Sequence, residues 1–236
     1  MTIKHDGLDV SWLGYATVRI ESPDGFVVYF DPGRYGVLDD YYARDGDLIL
    51  VTHDHHYDSD AIEQVADEDA TVVAYEGVNA ANIDRDVTPV EDLPYETIRV
   101  DDEDFLTVGE VDVWTLPAFN DPDGPHLRDN GDPYHPRGLG CAYHISIGDR
   151  TVFWPGDSDV LEGFRHLEVS LFLANIGGTV VMDRHEAADL AETLDPDLVL
   201  PIHYDTIPIL ETDEAAFVVD VASRGIPVVL DDPEQV

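Results

Sequence analysis

Three apolar segments of this chain each lead directly into side chains that can bind metal ions. Residues 48–52 precede His-Asp-His-His-Tyr-Asp-Ser-Asp, residues 151–154 precede Pro-Gly-Asp-Ser-Asp, and residues 198–202 precede His-Tyr-Asp. Short apolar runs predict buried strands. In α/β architectures the loops after the strand ends carry the functional side chains. The pattern therefore predicts a fold in which three strand ends meet around a cation.

Strand-like segments also come early in each half of the chain, and strands alternate with helices later. Turn residues separate β-branched and aromatic runs. Further strands are predicted at residues 8–13, 17–21, 26–30, 71–75, 141–147, 169–174 and 227–230, with two or three more within 96–115. Helices are predicted at residues 59–66, 184–194 and 213–223. This order favours two packed mixed sheets with helices outside over one doubly wound sheet.

Acidic residues outnumber basic residues by 51 to 12, which gives a formal net charge of −39. Such a charge repels phosphate groups, so we expect neither a nucleic acid nor a membrane as a partner. Lys4 is the only lysine. An acidic surface of this kind is tolerated where salt shortens the Debye length, to about 3 Å at 1 M. We therefore expect a salt-rich cytoplasm, as in an extreme halophile.

Several classes of protein are disfavoured by what the sequence lacks. Cys141 is the only cysteine, which excludes an intramolecular disulfide and a thiolate metal cage. No Gly-x-Gly-x-x-Gly follows a predicted strand, and no Gly-x-Ser-x-Gly occurs. The first residues have no apolar segment, and the longest uncharged stretch, 169–182, is shorter than the roughly 20 residues of a membrane span. We expect a soluble, cytoplasmic protein.

Residues 119–140 form a segment without periodicity. It contains four prolines and four glycines among 22 residues, together with His126 and His135. Loops of this length inside compact domains are usually functional or disordered. The two histidines favour a functional loop.

Six short motifs resemble those of one known family. Thr-His-Asp-His at 52–55, Gly-Asp-Ser-Asp at 156–159 and Pro-Ile-His-Tyr at 201–204 resemble the signature segments of metallo-β-lactamase-fold hydrolases. The segments at 117–120, 134–138 and 176–179, with Met-Asp following at 182–183, are similar to metal-dependent hydrolases related to ascorbate phosphate lactonases. The resemblance covers about residues 8–230. It implies a four-layer αββα sandwich of two mixed β-sheets with outer helices, as a single domain over residues 1–236.

The resemblance also implies a set of metal ligands at one edge between the sheets. His53, His55 and His135 match the first site, Asp157 matches the bridging carboxylate, and His203 matches the last histidine of the second site. His135, rather than His126, is thus the expected loop ligand. His126 is then a surface residue, and His144 is a strand residue. His166 and His185 are helix or loop residues.

One motif departs from the family pattern His-x-His-x-Asp-His. Tyr57 stands where the second-site aspartate belongs, and Asp58 stands where the histidine belongs. Tyrosine, with a pKa near 10, is a poor zinc ligand. Asp58 could complete the second site with Asp157 and His203, or a small shift of the loop could present His56 instead. Tyr57, and His56 if it is not a ligand, are expected to support the ligands.

Two further residues are candidates for supporting roles. Asp31 follows a predicted strand and precedes Pro-Gly; it is either a turn aspartate or a carboxylate that orients a ligand histidine. Arg137 is the candidate for binding anionic substrate charge, and a structural ion pair is the alternative.

The expected activity is hydrolysis of a small ester, lactone or phosphoester. A divalent ion, zinc or else manganese, would lower the pKa of water from 15.7 to about 7. Asp157 would orient that water, with Asp58 as a second catalytic carboxylate. One ion is expected and a second is left open. The alternative is a metal-binding scaffold with a degenerate second site and little or no catalysis. A nuclease is disfavoured because few basic residues are available, and a homo-oligomer remains open.

Overall fold

Two mixed β-sheets make up most of the protein. The computed structural model describes residues 2–35 and 41–231. The first sheet has the order β1-β2-β3-β4-β5-β6-β7. Its strands are β1 (Ile3–His5), β2 (Leu8–Gly14), β3 (Thr17–Glu21), β4 (Val27–Phe30), β5 (Gly46–Val51), β6 (Ala66–Tyr75) and β7 (Glu96–Val100). Strands β1 to β4 pair antiparallel, and β4 to β7 pair parallel.

The second sheet has the order β13-β12-β11-β10-β9-β8. Its strands are β8 (Phe105–Val108), β9 (Val111–Ala118), β10 (Gly140–Ile147), β11 (Arg150–Trp154), β12 (Leu171–Asn175) and β13 (Leu198–Ile202). Strands β8 to β11 pair antiparallel, whereas β11, β12 and β13 pair parallel. Both sheets contribute to one hydrophobic core.

The burial pattern of each strand follows from its place in the sandwich. Every residue of β4 and of β12 is buried, as continuous apolar strands covered on both faces require. Strand β2 alternates between buried and half-buried residues, which is typical of a strand with one covered face. The hydroxyl of Tyr143 in the second sheet donates to the carbonyls of Val51 and Val73 in the first. This hydroxyl ties the sheets together across the core.

Within the described residues, three α-helices begin at aspartate caps. They are α1 (Ser59–Val65), α2 (Arg184–Leu194) and α3 (Glu214–Ser223). At the start of α2, Asp183 and Glu186 form a capping box. Helix α2 ends at Asp195, which adopts the left-handed conformation directly before a proline. Helix α2 packs against β12 and α3.

The predicted fold class is confirmed, and two predicted details need correction. Residues 227–230 were predicted as a strand but form only an isolated bridge, between Val228 and Val199. Val199 makes both hydrogen bonds of this bridge, and Pro227 has no N–H with which to extend the pairing. Strand β1 was not predicted. The predicted domain bounds, 1 and 236, lie outside the described residues. In the described part of the chain no helix is long and apolar enough to cross a membrane.

Nearly all of the acidic residues in the described segments face solvent at least in part. Only six aspartates are buried, namely Asp31, Asp54, Asp58, Asp157, Asp159 and Asp231. The net charge of −39 therefore lies mainly on the surface. Mutual repulsion of these charges opposes folding and is screened by salt.

We expect potassium chloride to stabilise the folded chain. Between 0.1 and 2 M salt, the melting temperature followed by circular dichroism should rise by at least about 5 °C, equivalent to about 2 kcal/mol for a chain of this size. Betaine, a zwitterion that does not screen charge, is the control at equal osmolality. An equal rise in betaine, or no rise in salt, would contradict the expectation.

Candidate metal centre

Four strand ends deliver the candidate ligands and their supports to one edge of the sandwich. Asp31 follows β4, the histidine segment at 53–56 follows β5, Asp157 follows β11, and His203 follows β13. An isolated bridge pairs His53 with Gly140, the first residue of β10. A Cβ at Gly140 would lie 2.7 Å from the Cβ of His53. Only glycine allows the two sheets to approach this closely at the site.

Asp157 lies between two groups of imidazoles. Its Oδ2 is 3.2 Å from Nε2 of His135 and 3.6 Å from Nε2 of His53. Its Oδ1 is 3.4 Å from Nε2 of His203 and 3.6 Å from Nε2 of His56. His55 joins the first group, where one potential ligand atom from each residue lies within 4.8 Å of the others. Each carboxylate oxygen thus faces one possible ion position.

Hydrogen bonds to Nδ1 leave Nε2 of three histidines free to bind an ion. The Thr52 hydroxyl donates to Asp31, so it accepts from Nδ1 of His53 at 2.9 Å. Nδ1 of His56 donates to Oδ2 of Asp31 at 3.0 Å. Nδ1 of His135 lies 3.1 Å from the Val180 carbonyl. Such partners hold the ring orientation and raise the basicity of a ligating histidine.

The donor set fits one or two divalent cations. Nε2 of His53 is buried and has no hydrogen-bond partner within the described residues, a costly state unless an ion occupies the site. Nε2 atoms of His56 and His203 lie 3.2 Å apart and both face Asp157. Imidazole nitrogens with a carboxylate are the donors that zinc and neighbouring transition metals prefer.

The charges of the site also suit metal binding at neutral pH. Burial and the neighbouring imidazoles lower the pKa of His203 to about 4 and that of His55 to about 3. Burial alone would raise the pKa of Asp157, but the imidazoles of His203, His56 and His135 hold it well below its usual range. The carboxylate is therefore ionised, and these two histidines are neutral, which is the state that ligands need.

His56 has the opposite tendency. Burial alone would lower its pKa, but Asp157 and Asp31 raise it above the ordinary value. Since Asp31 accepts from Nδ1, the ring must release the proton on Nε2 when it binds a cation.

The structure places Asp58 away from the imidazoles and His56 among them. Asp58 does not reach the imidazoles: its Oδ1 accepts from the backbone N–H groups of Asp60 and Ala61, capping α1. Tyr57 is buried and its hydroxyl donates to the Thr88 carbonyl. His56, the alternative to Asp58, joins Asp157 and His203 in the second group. The backbone N–H of both His56 and Tyr57 bonds to the His53 carbonyl, which turns the chain tightly enough to bring His56 inward.

The loop that carries His135 is held by a buried polar network. Asn120 accepts from the backbone N–H of His135 and donates to Oδ1 of Asp159. Nδ1 of His126 lies 2.6 Å from the same Asp159 oxygen. His126 is thus buried and paired, which corrects its expected place at the surface. His166 ends a short 3-10 helix, His185 lies in α2 and His144 lies in β10, as expected.

Arg137 does not line the cavity above the ligands. Its guanidinium lies 3.7 Å from Asp102 and is 66% exposed, which agrees with the structural alternative. The cavity, of about 450 Å³, is lined by three other arginines, Arg34, Arg85 and Arg128. Arg34 follows the Asp-Pro-Gly segment at 31–33, whereas Arg85 and Arg128 stand next to no motif, and no pattern in the sequence predicted that the three would share a cavity.

Two aromatic residues at the site were also missed. The ring of Tyr15 stacks on His203 with centroids 4.5 Å apart and meets His56 edge-on at 5.0 Å. Nε1 of Trp154 donates to Oδ2 of Asp31 at 2.7 Å. Trp154 is the residue before Pro-Gly-Asp at 155–157, and Tyr15 directly follows β2. The only sequence signals available were the position of Trp154 at the end of a strand and that of Tyr15 directly after one.

Comparison with known proteins supports the same grouping. The family model described as the β-lactamase superfamily domain matches residues 9–203. The chain belongs to this superfamily. A relative from Thermococcus kodakarensis, named UPF0173 metal-dependent hydrolase, is 30% identical over 96% of this chain and 97% of its own length. One from Methanopyrus kandleri with the same family name is 28% identical over 93% and 94%.

Solved structures of other proteins share the fold. Igni18, a metallo hydrolase from Ignicoccus hospitalis, aligns with a TM-score of 0.70 at 18% identity, covering 96% of this chain and 95% of its own. YhfI from Bacillus subtilis, a metallo-β-lactamase fold protein, aligns with a TM-score of 0.68 at 15% identity, covering 97% and 98%. The resemblance to metallo-β-lactamase-fold proteins is confirmed.

The His126–Asp159 pair should make stability depend on pH. Burial alone would lower the pKa of His126, but its hydrogen bond to Asp159 and the charges of Asp159 and Glu186 raise it above 6.5. The pair therefore contributes fully below about pH 6.5, and its contribution declines as pH rises through the raised pKa. The variant His126→Gln should lose about 3–5 kcal/mol at acidic pH, because it leaves a buried carboxylate without its cation.

Urea denaturation of both proteins between pH 5.5 and 9 measures this difference. The gap in unfolding free energy should be largest at the acidic end and narrow towards pH 9. His166→Gln is the matched control, since its side chain is 74% exposed. A gap that stays constant across the range would contradict the assignment.

Proposed function

We propose that this chain is a metal-dependent hydrolase that acts on a small ester, lactone or phosphoester. The substrate carries an anionic group away from the bond that is cleaved. The observation that carries the proposal is the position of Asp157, with one oxygen facing each imidazole group. The names of the relatives, metal-dependent hydrolases, support the general activity.

Two overlapping sets of residues would hold divalent ions. They are the set His53, His55, His135 and Asp157, and the set His56, Asp157 and His203. Bound there, a divalent ion would lower the pKa of water towards about 7 and polarise the carbonyl or phosphoryl oxygen of the substrate. We propose zinc, because nitrogen donors predominate, with manganese as the alternative.

The protein groups would orient the reactants and exclude water. Asp157 is ionised and buried. It accepts a hydrogen bond from the attacking water, which directs a lone pair of the water oxygen at the substrate. Asp31 and Asn120 keep the rings of His56 and His135 in fixed orientations. Tyr15 covers one face of His203 and borders the cavity. These groups assemble a site that needs little rearrangement during the reaction.

The arginines of the cavity favour an anionic substrate. Three of the eleven arginines of a chain with net charge −39 line this one cavity. Arg85 donates to the Tyr57 carbonyl and lies near Asp58, and Arg128 donates to the Tyr134 carbonyl. The guanidinium carbon of Arg34 lies over the Tyr35 ring, 4.9 Å from its centroid, and Arg34 makes no ion pair with the described residues. Arg34 is therefore the residue best placed to bind a carboxylate or phosphate.

His135→Ala should abolish turnover. Removing one of three imidazoles from the first set weakens metal binding, so metal content after dialysis should fall and kcat/KM should drop at least about 100-fold. Metal analysis and a panel of esters, lactones and phosphoesters provide the measurements. His166→Ala, at an exposed histidine, is the control.

Two outcomes would overturn parts of the proposal. Full activity in His135→Ala would refute the ligand assignment. Tightly bound metal in the unaltered chain without turnover on any compound of the panel would favour a non-catalytic metal-binding scaffold.

Arg34→Ala should raise KM selectively for anionic substrates. A charged hydrogen bond of about 1.5–3 kcal/mol corresponds to an increase of at least about tenfold. The test compares two esters that differ only in a remote carboxylate and its neutral amide, and KM for the amide should not change. Arg137→Ala is the matched control, because Arg137 pairs with Asp102 outside the cavity. Equal effects on both esters would exclude an anion-binding role for Arg34.

A further inference from the structure

A potential cation site separate from the candidate metal centre lies where the edge strands of the two sheets approach each other. It consists of His5 at the end of β1, Asp6 in the turn that follows, and Asp197, which directly precedes β13. One potential ligand atom from each of the three residues lies within 4.8 Å of the others. His203 follows the opposite end of β13. At about 3.3 Å per residue, the strand separates Asp197 from His203 by about 20 Å.

His5 supplies the observation that points to a ligand. Its side chain lies on the same face of β1 as Ile3, and the residue is only 8% exposed. Nε2 is buried and has no hydrogen-bond partner within the described part of the chain. A buried ring nitrogen in that state costs free energy unless something else satisfies it. The same ring offers a nitrogen to the two aspartates.

The two carboxylates give this position a negative charge that the described residues compensate only in part. Asp6 and Asp197 are exposed, and their oxygens fall within the same 4.8 Å cluster. Nη2 of Arg150 lies 3.3 Å from Oδ2 of Asp6. A carboxylate has two oxygens and can accept from an arginine while it binds a cation. Among the described residues, one positive charge therefore faces two carboxylates and one imidazole.

We propose that His5, Asp6 and Asp197 bind a divalent transition-metal ion that joins the first sheet to the second. One imidazole and two carboxylates suit zinc, manganese or cobalt, and water molecules would complete the coordination. The ion would connect the β1–β2 turn to the loop between α2 and β13. This role is structural and does not depend on the proposed hydrolase activity.

Zinc stoichiometry tests the proposal directly. The unaltered chain and the variants Asp197→Asn and His5→Phe are dialysed against the same saturating free zinc concentration, and bound zinc is measured by elemental analysis. We expect both variants to hold one zinc ion per chain fewer than the unaltered protein. Asp195→Asn, an exposed aspartate of the same loop, is the matched control and should hold the full number.

Thermal unfolding supplies a second measurement and guards against a folding defect in His5→Phe. Asp197 is exposed, so Asp197→Asn should fold normally without zinc, with the same melting temperature as Asp195→Asn. Because an ion that binds only the folded chain stabilises it, the zinc titration of the melting temperature should shift to at least about tenfold higher zinc in Asp197→Asn.

The outcomes separate the two kinds of site. Equal zinc content in the unaltered chain, Asp197→Asn and Asp195→Asn would overturn the proposal, as would superimposable zinc titrations. Turnover in Asp197→Asn should match that of the unaltered protein, since His203 lies at the other end of β13.

Discussion

A buried carboxylate that must be electrically compensated organises this protein. Asp157 is 6% exposed. Within the described residues it forms no ion pair with a lysine or arginine, and four imidazoles surround it instead. A carboxylate in such surroundings is stable only when paired with positive charge or coordinated to metal. The folded chain therefore has to hold its imidazoles at set distances, and the edges of both sheets are arranged to do so.

A second layer of polar groups gives the imidazoles their orientation. Asp31, fully buried, accepts from the backbone and hydroxyl of Thr52, from His56 and from the indole of Trp154. These donors come from the loop that follows β5 and from β11, so one carboxylate joins both sheets. The network of Asn120, His126 and Asp159 does the same for the loop of His135. Each network is closed by hydrogen bonds, which is what keeps buried polar groups from destabilising the core.

Asp58 caps a helix instead of completing the second group for a clear physical reason. Spacing along the chain put Asp58 where a ligand was expected, but the first turn of α1 leaves N–H groups without partners, and an aspartate is the preferred residue to cap them. Capping holds that carboxylate at the helix, and the turn over the His53 carbonyl brings His56 inward. Competition between a helix cap and a metal site is decided by local backbone geometry, which motif spacing does not reveal.

From its sequence alone the chain could be assigned most of its strands and its two mixed sheets, which follow from hydrophobic patterning that is local in the chain. Its family and the ligand set His53, His55, His135, Asp157 and His203 were implied by the resemblance of its short motifs to a known family. Only the tertiary structure decided the parts that depend on side chains far apart in sequence. It paired His126 with Asp159, gathered three arginines around one cavity, placed Arg137 outside it, and brought His5 near Asp197. Contacts of this kind depend on how the two sheets pack, because packing sets which loops become neighbours.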